Sequence, residues 1–200
     1  LAATRVAANG LIEKGRENLL VQSNNFDTTW SGNASVTSGQ SGYDGSTDAW
    51  LLEKDNTGSF ILISQNLSPS GVWTFSLYAK ANTLDSLTLR NQTNGHSATF
   101  DLTNATISTN QTIDSSIVSV GNNWYRCTAT FSGSSSQLAI YVGFGNSSAG
   151  SVYIQDAQLE QGLAATDYIE TGASTVQAGL LEDEPRIDYT GGTGSLLLEP

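Results

Sequence analysis

The stretch SVYIQDAQLEQG at 151–162 sets a carboxylate where a strand changes face. Apolar residues hold Val152 and Ile154, then move to Ala157 and Leu159, with Asp156 at the change of parity. Strand side chains alternate between faces, so this switch predicts one extra residue, a bulge, at Gln155–Asp156. A carboxylate there has three possible uses. It could act as an acid or base, it could bind a hard cation beside carbonyls turned out by the bulge, or it could accept from turned backbone amides without metal.

The partners available decide among these uses. Glycoside hydrolysis needs two carboxyl groups facing each other across a cleft, whereas Asp101, Asp114, Asp156 and Glu160 are scattered over different elements. His96 is the only histidine and lies in the turn TNGHS, so a nucleophilic triad would have to be built on a turn residue. The chain has no G-x-S-x-G elbow, no H-E-x-x-H and no glycine loop followed by Lys-Ser/Thr. It therefore reads as non-catalytic.

Binding chemistry is better represented. Sugars present apolar C–H faces that stack on aromatic rings and hydroxyl rims that hydrogen-bond to planar polar groups. Tyr78, Trp124, Arg126 and Tyr141 all take the outward parity of their strands and are the candidate glycan-binding residues. The competing reading is that the arms cover this face, or that these residues form ordinary cross-strand pairs.

Period-2 patterning runs from about residue 18 to residue 160 and predicts an all-β core. VWTFSLYAKA puts Trp73, Phe75, Leu77 and Ala79 on one face. WYRCTATF puts Tyr125, Cys127, Ala129 and Phe131 inward, and QLAIYVGF does the same for Leu138, Ile140, Val142 and Phe144. Turn-forming clusters such as SPSG, TNG, GNN and SGSSS separate the runs. Short strands with such turns predict a jelly-roll β-sandwich of two antiparallel sheets over 18–171, with extended arms at 1–17 and 172–200. The tail carries Ile187, Tyr189 and Leu196 to Leu198, apolar surface expected to dock on the sandwich or on a neighbouring chain, and EDEPR at 182–186 reads as a solvated linker. The lone Cys127 cannot form an intrachain disulfide and reads as a small buried hydrophobe.

Eight Lys and Arg against 19 Asp and Glu give a net charge of -11, which disfavours nucleic acid and anionic membranes as partners. No apolar run is long enough for a membrane span.

Several strings together resemble a known family. ENLLVQSNNFDTTW at 17–30, DAWLLEK at 48–54, WTFSLYAKA at 73–81, GNNWYRCTATFSG at 121–133, the closing stretch at 151–171 and EPRIDYTGGTGSLLLEP at 184–200 resemble a jelly-roll module recurrent in bacteriophage tail and other virion proteins. The chain is more distantly similar to the β-sandwich carbohydrate-binding modules of polysaccharide-degrading enzymes. These share an opening Asn-Leu-Leu strand, an early Phe-(Asp/Glu)…Trp and an Asp-bearing closing strand.

The first resemblance implies a virion structural module of a phage tail or tail fibre. Its partners would be neighbouring virion chains, tandem copies or further copies of itself, with host-surface polysaccharide as a ligand. The second implies a carbohydrate-binding module of an extracellular bacterial enzyme or adhesin. The related modules also imply a structural calcium in which Asp156 meets oxygens of Asn25 or Asp27 and of Asp48. Trp30 and Trp50 fall where the resemblance places core or rim packing.

Overall fold

The computed structural model describes residues 15–55 and 58–179, together with four short strands in the arms. The arm strands are β1 (Arg5–Val6), β2 (Ile12–Glu13), β17 (Arg186–Asp188) and β18 (Ser195–Leu197); β3 (Arg16–Asn18) and β16 (Val176–Gly179) lie at the arm roots. The strands between are β4 (Ser31–Gly32), β5 (Ser35–Gln40), β6 (Ala49–Lys54), β7 (Ile61–Asn66), β8 (Val72–Ala81) and β9 (Ser86–Asn91). They continue with β10 (Ser97–Asp101), β11 (Thr106–Asn110), β12 (Asp114–Gly121), β13 (Trp124–Ser132), β14 (Gln137–Val142) and β15 (Gly150–Gln161).

Two six-stranded sheets result, in the orders β11-β10-β9-β14-β7-β4 and β12-β13-β8-β15-β6-β5. Every pairing within them is antiparallel. Apart from the hairpins β5–β6, β9–β10–β11 and β12–β13, each connection from β4 to β15 passes from one sheet to the other. This is the jelly-roll β-sandwich that the strand and turn pattern predicts. Among the described residues no helix is long and apolar enough to cross a membrane.

The core follows side-chain parity. Trp73, Phe75, Leu77 and Ala79 of β8 meet Leu87, Leu89, Leu138, Ile140 and Val142 of the first sheet, with Cys127, Ala129 and Phe131 beside them, all fully buried. Trp30 and Trp50 join this cluster, their indole N–H groups donating to the carbonyls of Gln22 and Asn24. Burial pushes the Cys127 thiol well above its ordinary range, so it stays neutral and unreactive.

One inward assignment is corrected. Phe144 does not follow Val142 into the core, because Gly143, at φ 57°, breaks the alternation and sends the ring to the outer face beside Tyr141.

The bulge has a structural cause. β15 pairs with β6 over Gly150–Ile154, and there that partnership ends. Beyond it, the opening segment takes over the same edge, with Ala157 N–H donating to the Ser23 carbonyl and Leu19 N–H to the Leu159 carbonyl. On the other edge the register against β8 slips between Gln155 and Gln158. Asp156 absorbs the slip at φ 55°, a left-handed conformation that Asp tolerates better than most residues. Val152, Ile154, Ala157 and Leu159 all stay fully buried because of it.

The arm roots pair with each other, Asn18 opposite Val176 and Glu17 opposite Gln177, while β1 pairs with β2 and β17 with β18. Docking of the tail through the side chains of Ile187, Tyr189 and Leu196 to Leu198, and most of the 182–186 linker, lie outside what the structure describes.

Candidate functional site

The outer face of the second sheet is where side chains of different elements converge, and polar residues of β15 organise it. Gln155 is fully buried, accepting from Tyr43 N–H at 3.1 Å and donating to a carboxylate oxygen of Asp48 at 2.8 Å. It thereby folds the loop between β5 and β6 onto the sheet. Gly42 leaves room for this contact, since a Cβ at that position would lie 2.5 Å from Gln155 Oε1 and the side chains around it would have to shift. Asp44 is turned the same way; the Ser46 hydroxyl and amide hold its carboxyl below the usual range, with Gln155 adding to the effect.

Further along β15, Gln158 donates to the carbonyls of Thr166 and Asp167 and accepts from Ile169 N–H. Glu160 accepts from the Thr166 amide and hydroxyl. Together they strap residues 163–171 over the other half of the face. Asn24 closes the third side, its Oδ1 accepting from Asp156 N–H at 3.1 Å and its Nδ2 donating to the Asp48 carbonyl.

Between these walls lies a cavity of about 530 Å³ lined by Asn24, Tyr43, Asp44, Asp48, Tyr78, Asp156, Asp167, Tyr168 and Glu170. Tyr43 stacks flat on Tyr78, with ring centroids 3.7 Å apart and planes 9° apart, and donates its hydroxyl to Asp156 Oδ2 at 3.0 Å. Tyr168 shares a 2.6 Å hydrogen bond with the Ser23 hydroxyl. Burial raises the Tyr43 and Tyr168 hydroxyls well above the ordinary phenol range, with Asp156 adding in both cases, so both remain protonated. Asp156, only 6 % exposed, has its carboxyl raised to about 7. Desolvation is the main cause, the Tyr43 hydroxyl opposes it, and Asp48, Asp44 and Glu170 add to it.

The four candidate glycan residues do not form one platform. Tyr78 lines the cavity, but at 9 % exposure it lies beneath Tyr43. Trp124 is 1 % exposed, packed with Tyr78 and Ala49 and against Tyr43 and Tyr153, so the outward parity is kept while the loop covers the ring. Arg126 donates to the Thr166 carbonyl and to Ser76, and so serves as part of the strap. Tyr141 lies on the opposite sheet, in the row Leu62–Tyr141–Thr88–Thr99, beside the row Ser64–Ala139–Arg90–Ser97.

The proposed calcium ligands also separate. Asp48 and Asp156 line the cavity, whereas Asn25 and Asp27, in the turn that follows Asn24, do not, and the Asn25 carbonyl accepts from Thr28. One Asp156 oxygen is held by Tyr43, and one Asp48 oxygen by Gln155 and Ser46. Among the described residues, no three His, Cys, Asp or Glu side chains converge to hold an ion.

Sequence reasoning missed Tyr43, Asn24, Gln155 and Tyr168. The signal available was SGYDGSTD at 41–48, where an Asp-Gly turn is flanked by a tyrosine and further acids.

No family model matches the chain, and no curated protein matches it. Several solved structures are similar to it, among them the following three. The CBM22-1 xylan-binding domain of Xyn10C from Paenibacillus barcinonensis has a TM-score of 0.48 and 17 % identity, over 76 % of this chain and 99 % of that one. The enzymatically active domain of tailspike protein 4 of bacteriophage CBA120 has a TM-score of 0.43 and 15 % identity, over 71 % and 21 %. The CBM22-1–GH10 modules of Clostridium thermocellum xylanase 10B, complexed with xylohexaose, have a TM-score of 0.43 and 9 % identity, over 79 % and 30 %. The chain therefore spans less than a third of the length of the latter two.

Proposed function

We propose that this chain is a non-catalytic carbohydrate-binding module of an extracellular or virion protein, with its ligand site in the tyrosine- and carboxylate-lined cavity. The observation that carries the reading is the combination of the Tyr43–Tyr78 stack and Tyr168 with the acceptors of Asn24, Asp44, Asp48, Asp167 and Glu170 in one open depression. Carboxylates accept from the hydroxyls of neutral sugars in charge-assisted hydrogen bonds, and the rings offer apolar surface to their C–H faces. The walls are fixed by buried Gln155 and Gln158, so little ordering is left for the ligand to impose.

A shallow site of this kind binds weakly, at roughly millimolar to tens of micromolar, about -4 to -6 kcal/mol. Several copies on one particle or polymer would raise avidity by about 10²–10⁴ without new contacts.

The test is calorimetry against a panel of neutral oligosaccharides with the wild type and the double variant Asp167→Ala/Glu170→Ala. Both residues are exposed at the rim, so the fold is retained. Binding should fall about tenfold or more in the variant. Equal binding by both proteins would move the site elsewhere, and release of reducing ends during incubation would replace binding by hydrolysis.

A second reading, a spacer in a phage tail or tail-fibre protein, is favoured by the pairing of β3 with β16, which makes the two arms leave the sandwich side by side. In that reading the arms join copies of the module. Removing residues 180–200 should then convert an oligomer to a monomer in sedimentation analysis, and identical masses for both chains would sink it.

A further inference from the structure

On the outer face of the first sheet, away from the acidic cavity, we propose a second and separate binding surface, for an acidic sugar residue of a polysaccharide, centred on Arg90, Phe144 and Phe60. Gly143 turns Phe144 onto this face, where its ring meets Tyr141 edge-on at 5.0 Å and 88° and Phe60 at 5.1 Å and 64°. The Arg90 guanidinium carbon sits 5.2 Å from the centre of the Phe144 ring. Arg90 Nε donates to Gln92 Oε1 at 3.2 Å, and the same oxygen accepts from the Tyr141 hydroxyl at 3.0 Å. Among the described residues the two terminal nitrogens of Arg90 have no hydrogen-bond acceptor.

Charge and shape fix the class of ligand. The two residue rows that carry Tyr141 and Arg90 contain no carboxylate. Asp101, at the end of β10, is committed to the Asn104 side chain and to the amides of Asn104 and Thr103, which hold its carboxyl below the usual range. In a chain of net charge -11 this face carries a cation at its centre, so it complements an anion that the carboxylate-lined cavity repels. The guanidinium presents paired N–H donors suited to a carboxylate, and its seat on Phe144 and Gln92 already restricts it. Phe60, 57 % exposed, offers a ring for the C–H face of the same sugar. A uronate, apolar on one face and anionic at its edge, satisfies both groups together.

The probe is a de-esterified oligogalacturonate, titrated into the intact chain by calorimetry at low ionic strength. Arg90→Gln should weaken binding about tenfold or more, Arg90→Lys should keep part of it, and Phe60→Ala should weaken it several-fold. Added salt should weaken it further. Neutral oligosaccharides should bind wild type and Arg90→Gln alike, and Asp167→Ala/Glu170→Ala should leave the oligogalacturonate affinity intact or improved. The two sites therefore stand or fall separately. Equal affinity of wild type and Arg90→Gln for oligogalacturonate overturns the proposal, as does no binding up to about 10 mM.

Discussion

The wild-type chain should lose stability as the pH rises from about 4 to about 7, and Asp156→Asn should not. The Asp156 carboxyl titrates near 3.8 when unfolded and at about 7 in the folded chain. A folded pKa raised in this way means that the folded state holds its proton more tightly. The resulting stability is fully present below pH 3.8, is lost progressively through this window, and is gone above about 7. The loss reaches about 4 kcal/mol as an upper limit, which corresponds to a fall in melting temperature of roughly ten degrees for a chain of this size.

Asp44 and Asp101 act in the opposite sense. Their carboxyls are held below the ordinary range, so the stability they contribute is lost only below about pH 4, outside the Asp156 window. Asparagine tolerates the left-handed backbone at position 156 and can still accept from the Tyr43 hydroxyl, so the variant isolates the charge. Melting curves across this range should cross, with the variant more stable at pH 8. Parallel curves would show that the buried carboxylate carries no such penalty.

The largest single loss of stability from a polar residue should come from Asn18→Ala. Asn18 is fully buried and makes four hydrogen bonds. Its Nδ2 donates to the carbonyls of Ala157 at 3.2 Å and Ile169 at 2.8 Å, and its Oδ1 accepts from the amides of Leu20 and Leu159, each at 3.1 Å. One side chain thus ties the opening segment to the closing strand and to the strap over the outer face. Alanine leaves two carbonyls and two amides unpaired in the interior, at a cost of about 3–5 kcal/mol. Denaturant unfolding measures this directly. The strap should loosen at Ile169 as well, shifting Tyr168 and weakening ligand binding in the cavity. A loss below about 1 kcal/mol would mean that water replaces the side chain at all four groups.

The sandwich was legible in the sequence because its strands obey a period of two over long runs. The bulge at Asp156 was legible because β15 is long enough to show both phases. What parity cannot convey is which sheet a face belongs to: Tyr78 and Tyr141 share an outward phase yet lie on opposite sides of the molecule. Nor can parity show what covers a face. Trp124 and Arg126 point outward as their spacing requires, but Gln155, Gln158 and Glu160 fold the 41–48 loop and residues 163–171 over them. These contacts are long-range hydrogen bonds between polar side chains and backbone, and local patterning carries no trace of them. Phe144 was misplaced for a more local reason, since a glycine at positive φ resets the alternation in a single residue.

The central claim is that the cavity between the Tyr43 loop and the 163–171 strap binds neutral carbohydrate. Amide chemical-shift mapping during titration with a neutral oligosaccharide that binds in calorimetry tests it most directly. The account predicts shifts concentrated at Asn24, Tyr43, Asp44, Asp48, Asp156 and Tyr168 to Glu170, with Phe60, Arg90 and Phe144 unmoved. Shifts confined to the opposite sheet, or spread evenly over the surface, would contradict it.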